Sequence, residues 1–250
     1  MEKYFDINEK GFSVRCKMFY AKDLKDVEYI VIATHGFGGS KENKTIEKFA
    51  QKLYSKHKNY GVLSFDWPCH GADARKKLLL EECMEYLSFV IAYSKEKLNA
   101  KDLYIYSVSF GAYLTLKYIV EINNPFKKIA LRCPALKMYD TMIKGISKED
   151  MLKLSKKKEV LAGHDRKMKI DQEFLEGLKN SDVMKYDYMD YADDIILIHG
   201  TKDEMVNIED SRKFSQNNVI EMLEVENADH RFSDPKTMDI AIHTIVEFFS

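Results

Sequence analysis

The sharpest chemical signal in this sequence is the pentapeptide Ser107-Val108-Ser109-Phe110-Gly111. It sits between an apolar run and a helical pattern. A serine at a tight strand-to-helix turn is held on a strained backbone, with its hydroxyl presented at the strand's C-terminal end. The turn is tight enough to need small residues two before and two after the serine. Ser109 meets that demand with Ser107 and Gly111, whereas Ser107 would have the bulky Ile105 as a flank. Ser109 is therefore the candidate nucleophile. The helix that follows points its free N-terminal amides at the spot where an oxyanion would develop. Taken alone, the segment reads equally as an ordinary polar turn.

Three further segments supply what a nucleophilic serine requires. His35-Gly36-Phe37-Gly38-Gly39 follows an apolar run, and its glycines let the backbone approach a ligand closely. The Phe37 amide is then one candidate oxyanion donor and the Phe110 amide the other. His35 itself stands at a strand end and reads as structural. His199-Gly200-Thr201-Lys202-Asp203-Glu204-Met205-Val206 follows a second apolar run. Asp203 is the candidate acid that orients an imidazole, with Glu204 as its neighbouring competitor. Asn227-Ala228-Asp229-His230-Arg231-Phe232 follows the last predicted strand and offers His230 as the general base. A lone loop aspartate or histidine is more often a solvated or capping residue. The chain order Ser109, Asp203, His230 is nevertheless that of the α/β-hydrolase layout rather than of the two common serine-protease layouts.

The elements that must position these residues alternate. Lys3–Asn8 and Gly11–Tyr20 read as a hairpin across Glu9-Lys10-Gly11. Glu28–Thr34 is a continuous apolar run of the buried parallel type, and Tyr60–Asp66, Leu103–Val108 and Lys128–Arg132 are further strands. Helices are predicted over Lys41–Lys56, Ala74–Leu98 and Phe110–Val120. The second of these has an apolar face of Leu80, Met84, Leu87 and Ile91. From about Ala135 to Asp193 the alternation stops. That stretch is rich in Lys, Asp, Glu and Met, with an amphipathic piece at Lys148–Lys156 and a small hairpin at Val160–Ile170 around Gly163. Alternation resumes with a strand at Asp194–His199, a helix near Glu209–Gln216, a strand at Val219–Val225 and a final helix. Ser233-Asp234 followed by Pro235 is a start signal for that last helix, whose apolar face is Met238, Ile242, Ile245 and Phe249. The reading is an α/β fold: a doubly wound, mostly parallel sheet with an insertion after about its sixth strand. Residues 1–134 and 194–250 form the body and 135–193 the inserted segment.

Composition bounds the function class. The 250 residues carry 39 basic and 40 acidic side chains, a formal net charge of −1. That balance argues against non-specific nucleic-acid binding and against a polybasic membrane patch. It is consistent with a neutral or apolar substrate. No apolar run reaches bilayer length, and no secretory leader is visible at the start, so a cytoplasmic protein is expected. Cys16, Cys69, Cys83 and Cys133 are widely spaced with no CxxC pair, which reads as buried thiols rather than a zinc or redox motif. The lysine run Lys156–Lys158 reads as a solvated face.

With these motifs in place, the chain resembles the α/β-hydrolase family over nearly its full length. It is similar to the small single-domain esterases grouped with serine aminopeptidases and monoacylglycerol lipases, including bacterial cinnamoyl (feruloyl) esterases. The family's oxyanion motif matches His35–Gly39, and its His-Gly-x-x-Asp-x-x-Val motif matches His199–Val206. Its Asp-x-x-Gly-His-Gly turn matches Asp66-Trp67-Pro68-Cys69-His70-Gly71, with Cys69 where glycine is usual, and implies a structural His70. The usual elbow, Gly-x-Ser-x-Gly-Gly, is here Ser107-Val108-Ser109-Phe110-Gly111-Ala112. Phe110 stands where Gln or Met is common and is expected to narrow or grease the site. The resemblance implies that 135–193 is a cap over the active site, with Met138, Tyr139 and Met142 as candidate substrate contacts and Met151 and Leu154 as further apolar lining.

The expected activity is cleavage of carboxylic esters, aromatic (cinnamoyl or feruloyl) or short acyl, through an acyl-enzyme, with no cofactor and no metal. A small-molecule ester is the expected partner, and a homodimer is left open. The same triad would serve a peptidase, amidase or thioesterase, and a non-catalytic hydrolase-like binding protein is a reading of another class. A haloalkane dehalogenase is disfavoured, since that branch needs Asp where Ser109 stands.

Overall fold

The computed structural model describes residues 1–71, 73, 77–163 and 166–250. Its main sheet has eight strands: β1 (Glu2–Glu9), β2 (Phe12–Phe19), β3 (Tyr29–Thr34), β4 (Tyr60–Phe65), β5 (Asp102–Val108), β6 (Lys128–Arg132), β9 (Ile195–Gly200) and β10 (Glu221–Val225). Their spatial order is β1-β2-β4-β3-β5-β6-β9-β10. The β1–β2 and β2–β4 pairings are antiparallel and all the others parallel. A separate two-stranded ribbon, β7 (Val160–Ala162) with β8 (Met168–Ile170), lies in the insertion.

Among the described residues, eight α-helices accompany these strands: α1 (Lys44–Lys56), α2 (Leu80–Glu96), α3 (Phe110–Glu121), α4 (Met138–Lys144), α5 (Lys148–Ser155), α6 (Gln172–Asn180), α7 (Ile208–Asn218) and α8 (Pro235–Phe248). Strand residues alternate between two cores. On β3, Ile30 and Ile32 face the side built with α2 and α3, while Val31 and Ala33 face α1 and α8. Both faces of the parallel strands are therefore buried, which is why they read as continuous apolar runs.

The departures from the expected boundaries have local causes. Helix α1 begins at Lys44 rather than Lys41, because the Asn43 side chain caps the Thr45 amide. Lys41 instead lies buried against Asp66, with its Nζ 2.8 Å from the carboxylate. Val219 is not in the last strand. It is the left-handed C-cap of α7, with φ 57°, and is exposed. The start expected for α2 at Ala74 lies outside the described residues, and the helix proper begins at Leu80. The tip of the expected hairpin at 164–165 lies outside them as well.

The segment between β6 and β9 holds α4, α5, the β7–β8 ribbon and α6. It has no core of its own. Met138, Leu154, Val160, Met168, Phe174 and Leu178 join the same buried cluster as the body's α2 and α3. The four cysteines are buried and unbridged, and Lys156–Lys158 are exposed. Among the described residues no helix is long and apolar enough to cross a membrane.

Candidate active site

The register of the sheet levels the strand ends that carry the chemistry. Val108 pairs with Arg132, Arg132 with Ile198, and Gly200 with Val225. The loops after β5, β9 and β10 therefore leave the sheet on one edge. Ser109 follows β5 as the N-cap of α3, at φ 54° and ψ −114°, a region that non-glycine residues adopt only under constraint. The constraint is visible. The Ser109 amide donates to Arg132 O at 3.1 Å, and Ser109 O accepts from the amides of Tyr113 and Ala135 at 3.1 and 3.2 Å. Its side chain makes no capping bond and is left for other partners.

Those partners are in line. Ser109 Oγ lies 3.1 Å from His230 Nε2, and His230 Nδ1 lies 2.7 Å from Asp203 Oδ2. A carboxylate only accepts, so Nδ1 carries the proton, and the neutral ring leaves Nε2 to accept from the Ser109 hydroxyl. The Asp203 side chain is fully buried. Burial pushes its carboxyl pKa up, but His199, His230 and the Val206 amide together outweigh this and hold the group well below the usual carboxylate range. Its Oδ1 accepts from the Met205 and Val206 amides at 2.9 and 2.8 Å. Glu204 is exposed and outside this line.

Two glycines make the approach of these loops feasible. A Cβ on Gly200 would stand 2.2 Å from Ala228 O, so glycine there lets the acid loop and the histidine loop meet. They are stitched by Lys202 N to Ala228 O at 2.9 Å, Thr201 N to Val225 O at 3.0 Å and Asn227 N to Thr201 Oγ1 at 2.9 Å. A Cβ on Gly111 would stand 2.3 Å from Thr34 Oγ1 and 2.8 Å from His35 O, so α3 can start directly against the end of β3. Ser107 turns away from Ser109's partners and lies 2.7 Å from Thr115 Oγ1 on α3.

The glycine loop after β3 lies beside the serine: a Cβ on Gly36 would be 3.2 Å from Ser109 Cβ. Among the described residues, the Phe37 and Phe110 amides donate to no other residue, so both are available to a ligand. His35 and His70 are both buried, with pKa values pushed down by desolvation to about 4 and about 3. Each ring is engaged locally: His35 Nδ1 with Gly36 O, and His70 Nδ1 with Pro68 O, both at 2.8 Å. Cys69 has φ 65°, which explains why glycine suits that position, and its Sγ lies 3.0 Å from Lys77 O.

One expectation is corrected. The Phe110 ring does not narrow or grease the site, because it is fully buried under the glycine loop. It stands edge-on to Phe37 at 5.5 Å between ring centres and stacks with His70 and Tyr113. A residue at the first turn of α3 points its side chain back into the core while its amide faces the loop. Met138 and Met142 are also buried, and Tyr139 is half-buried. Met138 and Tyr139 line a hollow of about 290 Å³ with Leu136 and Leu178, and Ser109, Asp203 and His230 do not line it. Met151 is half-buried and Leu154 fully buried in the core.

Two features escape a reading by motif. Arg166, after the ribbon tip, spends its guanidinium on the carbonyls of Cys69, Gly71 and Asp73, at 2.5, 2.5 and 2.6 Å. Gly163 and Arg166 approach Phe37 and Gly38, so the ribbon rests on the glycine loop. His199 is buried with its Nε2 3.1 Å from Asp203 Oδ2. The signal for it was the four-residue spacing inside His-Gly-x-x-Asp. Cys133, His199 and Asp203 put potential ligand atoms within 4.8 Å of one another. Burial holds the Cys133 thiol well above its ordinary pKa, and the Asp203 oxygens already face two imidazoles and two amides. The group is a hydrogen-bonded cluster rather than a set of metal donors.

The family model for Hydrolase_4, serine aminopeptidase S33, matches residues 25–186. A search of curated proteins finds no significant match. Among solved structures, Est1E from Butyrivibrio proteoclasticus with ferulic acid bound superposes with a TM-score of 0.78 at 19% identity, covering 98% of this chain and 97% of that one. The esterase domain of a Rhodothermus marinus protein gives 0.71 at 17% identity, over 99% and 97%. The Pyrococcus furiosus esterase Pf2001 gives 0.67 at 18% identity, over 100% and 92%. These likenesses establish the α/β-hydrolase fold.

Proposed function

The chain belongs to the Hydrolase_4 family of serine hydrolases (serine aminopeptidase, S33), and from that premise we propose that it cleaves carboxylic esters with Ser109, His230 and Asp203 as its triad. The observation that carries the reading is the unbroken line from Ser109 Oγ to His230 at 3.1 Å and on to a fully buried Asp203 at 2.7 Å. Ser109 attacks the ester carbonyl as His230 Nε2 takes the hydroxyl proton. Asp203 stabilises the resulting imidazolium. The amides of Phe37 and Phe110 receive the tetrahedral oxyanion, each contributing about 3 kcal/mol to its stabilisation. The intermediate collapses with cleavage of the C–O bond, and His230 returns the proton to the departing alcohol. Water, activated by the same imidazole, then releases the acid and restores Ser109.

The acyl group proposed is aromatic or short. The motivation is the superposition on a protein whose structure holds ferulic acid. Substrate contacts from Met138, Tyr139 and Met142 belong to the same proposal. Ala135, three residues before Met138, donates its amide to Ser109 O, so this stretch leads away from the nucleophile itself. The family's description as a serine aminopeptidase favours aminoacyl amides as the second reading.

Parallel assays on p-nitrophenyl acetate, methyl ferulate, an acyl-CoA and an aminoacyl-anilide separate these readings. Hydrolysis of the esters, and its loss by several decades in Ser109→Ala, is the expected result. Turnover of the anilide alone would move the assignment to a peptidase. Near-normal ester turnover by Ser109→Ala would remove Ser109 from the mechanism.

A further inference from the structure

We propose that His199 is a positioning residue for the triad acid, and that Ser211 on α7 holds its ring in place; this rests on the triad proposed above. The His199 ring is fully buried at the end of β9 and touches three parts of the acid turn's surroundings. Its Nε2 lies 3.1 Å from Asp203 Oδ2 and 3.3 Å from Val206 O. Its Nδ1 lies 2.8 Å from the buried Ser211 Oγ.

Both oxygens facing Nε2 can only accept, so that nitrogen carries the proton. A neutral imidazole then has a lone pair on Nδ1, and the Ser211 hydroxyl donates to it. Ser211 thereby holds the ring in the orientation that presents N–H to the acid turn. The same Oδ2 receives His230 Nδ1–H, so two imidazoles converge on one carboxylate oxygen while Oδ1 holds two backbone amides. His199 closes the fourth side of the carboxylate and pins Val206 O, fixing the acid from side chain and backbone together.

The test compares wild type, His199→Phe, His199→Gln and Ser211→Ala on p-nitrophenyl acetate, with active sites counted by a fluorophosphonate. The expected order is wild type, then His199→Gln and Ser211→Ala, then His199→Phe. His199→Phe should lose about 10- to 100-fold in kcat per active site with KM nearly unchanged. Partial recovery in His199→Gln, whose amide can still donate, is part of the prediction. A purely structural role would lower the active fraction or the Tm and leave kcat per active site in place. That result overturns the proposal. If His199→Phe does not fold, a wild-type kcat per active site in both His199→Gln and Ser211→Ala overturns it equally. Failure of wild type itself to react with the fluorophosphonate would instead refute the triad.

Discussion

Replacing Asp203 with Asn is the substitution whose outcome the geometry specifies most fully. Asp203 Oδ1 accepts two backbone amides, from Met205 and Val206, at 2.9 and 2.8 Å. An asparagine has one acceptor oxygen, and those two donors will claim it. Its amide nitrogen must then take the place of Oδ2, facing His230 Nδ1 and His199 Nε2. His230 cannot keep an N–H there, whereas His199 Nε2 can still donate to Val206 O. His230 is driven to the tautomer with its proton on Nε2, which points at Ser109 Oγ and cannot accept its proton. The expected loss in kcat is about ten-thousand-fold, with KM little changed, because binding does not depend on the tautomer. The assay is steady-state hydrolysis of p-nitrophenyl acetate near neutral pH, with the fold checked by circular dichroism. An activity within tenfold of wild type would refute the reasoning, since it would mean that His230 does not rely on Asp203 for its tautomer.

The same carboxylate links function to stability. Its pKa is depressed on folding, so its contribution is fully present above the ordinary carboxylate value and is lost as pH falls toward the folded one. Asp203→Asn should therefore flatten the fall in unfolding free energy between about pH 5 and pH 2, read by urea titration at each pH. An equally steep fall in the variant would contradict this. Ser107→Ala removes a bond to Thr115 and nothing at Ser109, so turnover within a few-fold of wild type is expected in the ester assay. Gly111→Ala sets a methyl 2.3 Å from Thr34 Oγ1 and 2.8 Å from the His35 carbonyl. Thermal denaturation should show a loss of about 1–3 kcal/mol, and displacement of Ser109 should cost on the order of a hundredfold in kcat. Arg166→Ala strips hydrogen bonds from the carbonyls of Cys69, Gly71 and Asp73. It should lower stability by about 1–3 kcal/mol in urea, and an unchanged midpoint would show that the clamp contributes nothing.

Much of the body was legible because burial on both faces leaves long apolar runs, and β3, β4, β5, β6 and β9 each present one. The loops that follow them were found for the same reason, since a polar residue directly after such a run has only the sheet edge to occupy. Val219 misled because an apolar β-branched residue beside a strand reads as part of it, and only the left-handed cap of α7 reveals otherwise. Phe110 misled because its place beside Ser109 says nothing of where its ring points. Helices α4 and α6 were not resolved individually, being 7 and 9 residues long and therefore too short to show a helical period. Arg166 and His199 act through contacts with residues distant in sequence or across a turn. Spacing alone carries little trace of such contacts.

The proposed role of Ser109 as nucleophile stands or falls on covalent labelling: treatment of the intact chain with a fluorophosphonate, followed by intact mass and peptide mapping. A single adduct is expected, on Ser109, absent from Ser109→Ala and retained in Ser107→Ala. No adduct, an adduct on another residue, or undiminished labelling of Ser109→Ala would contradict it.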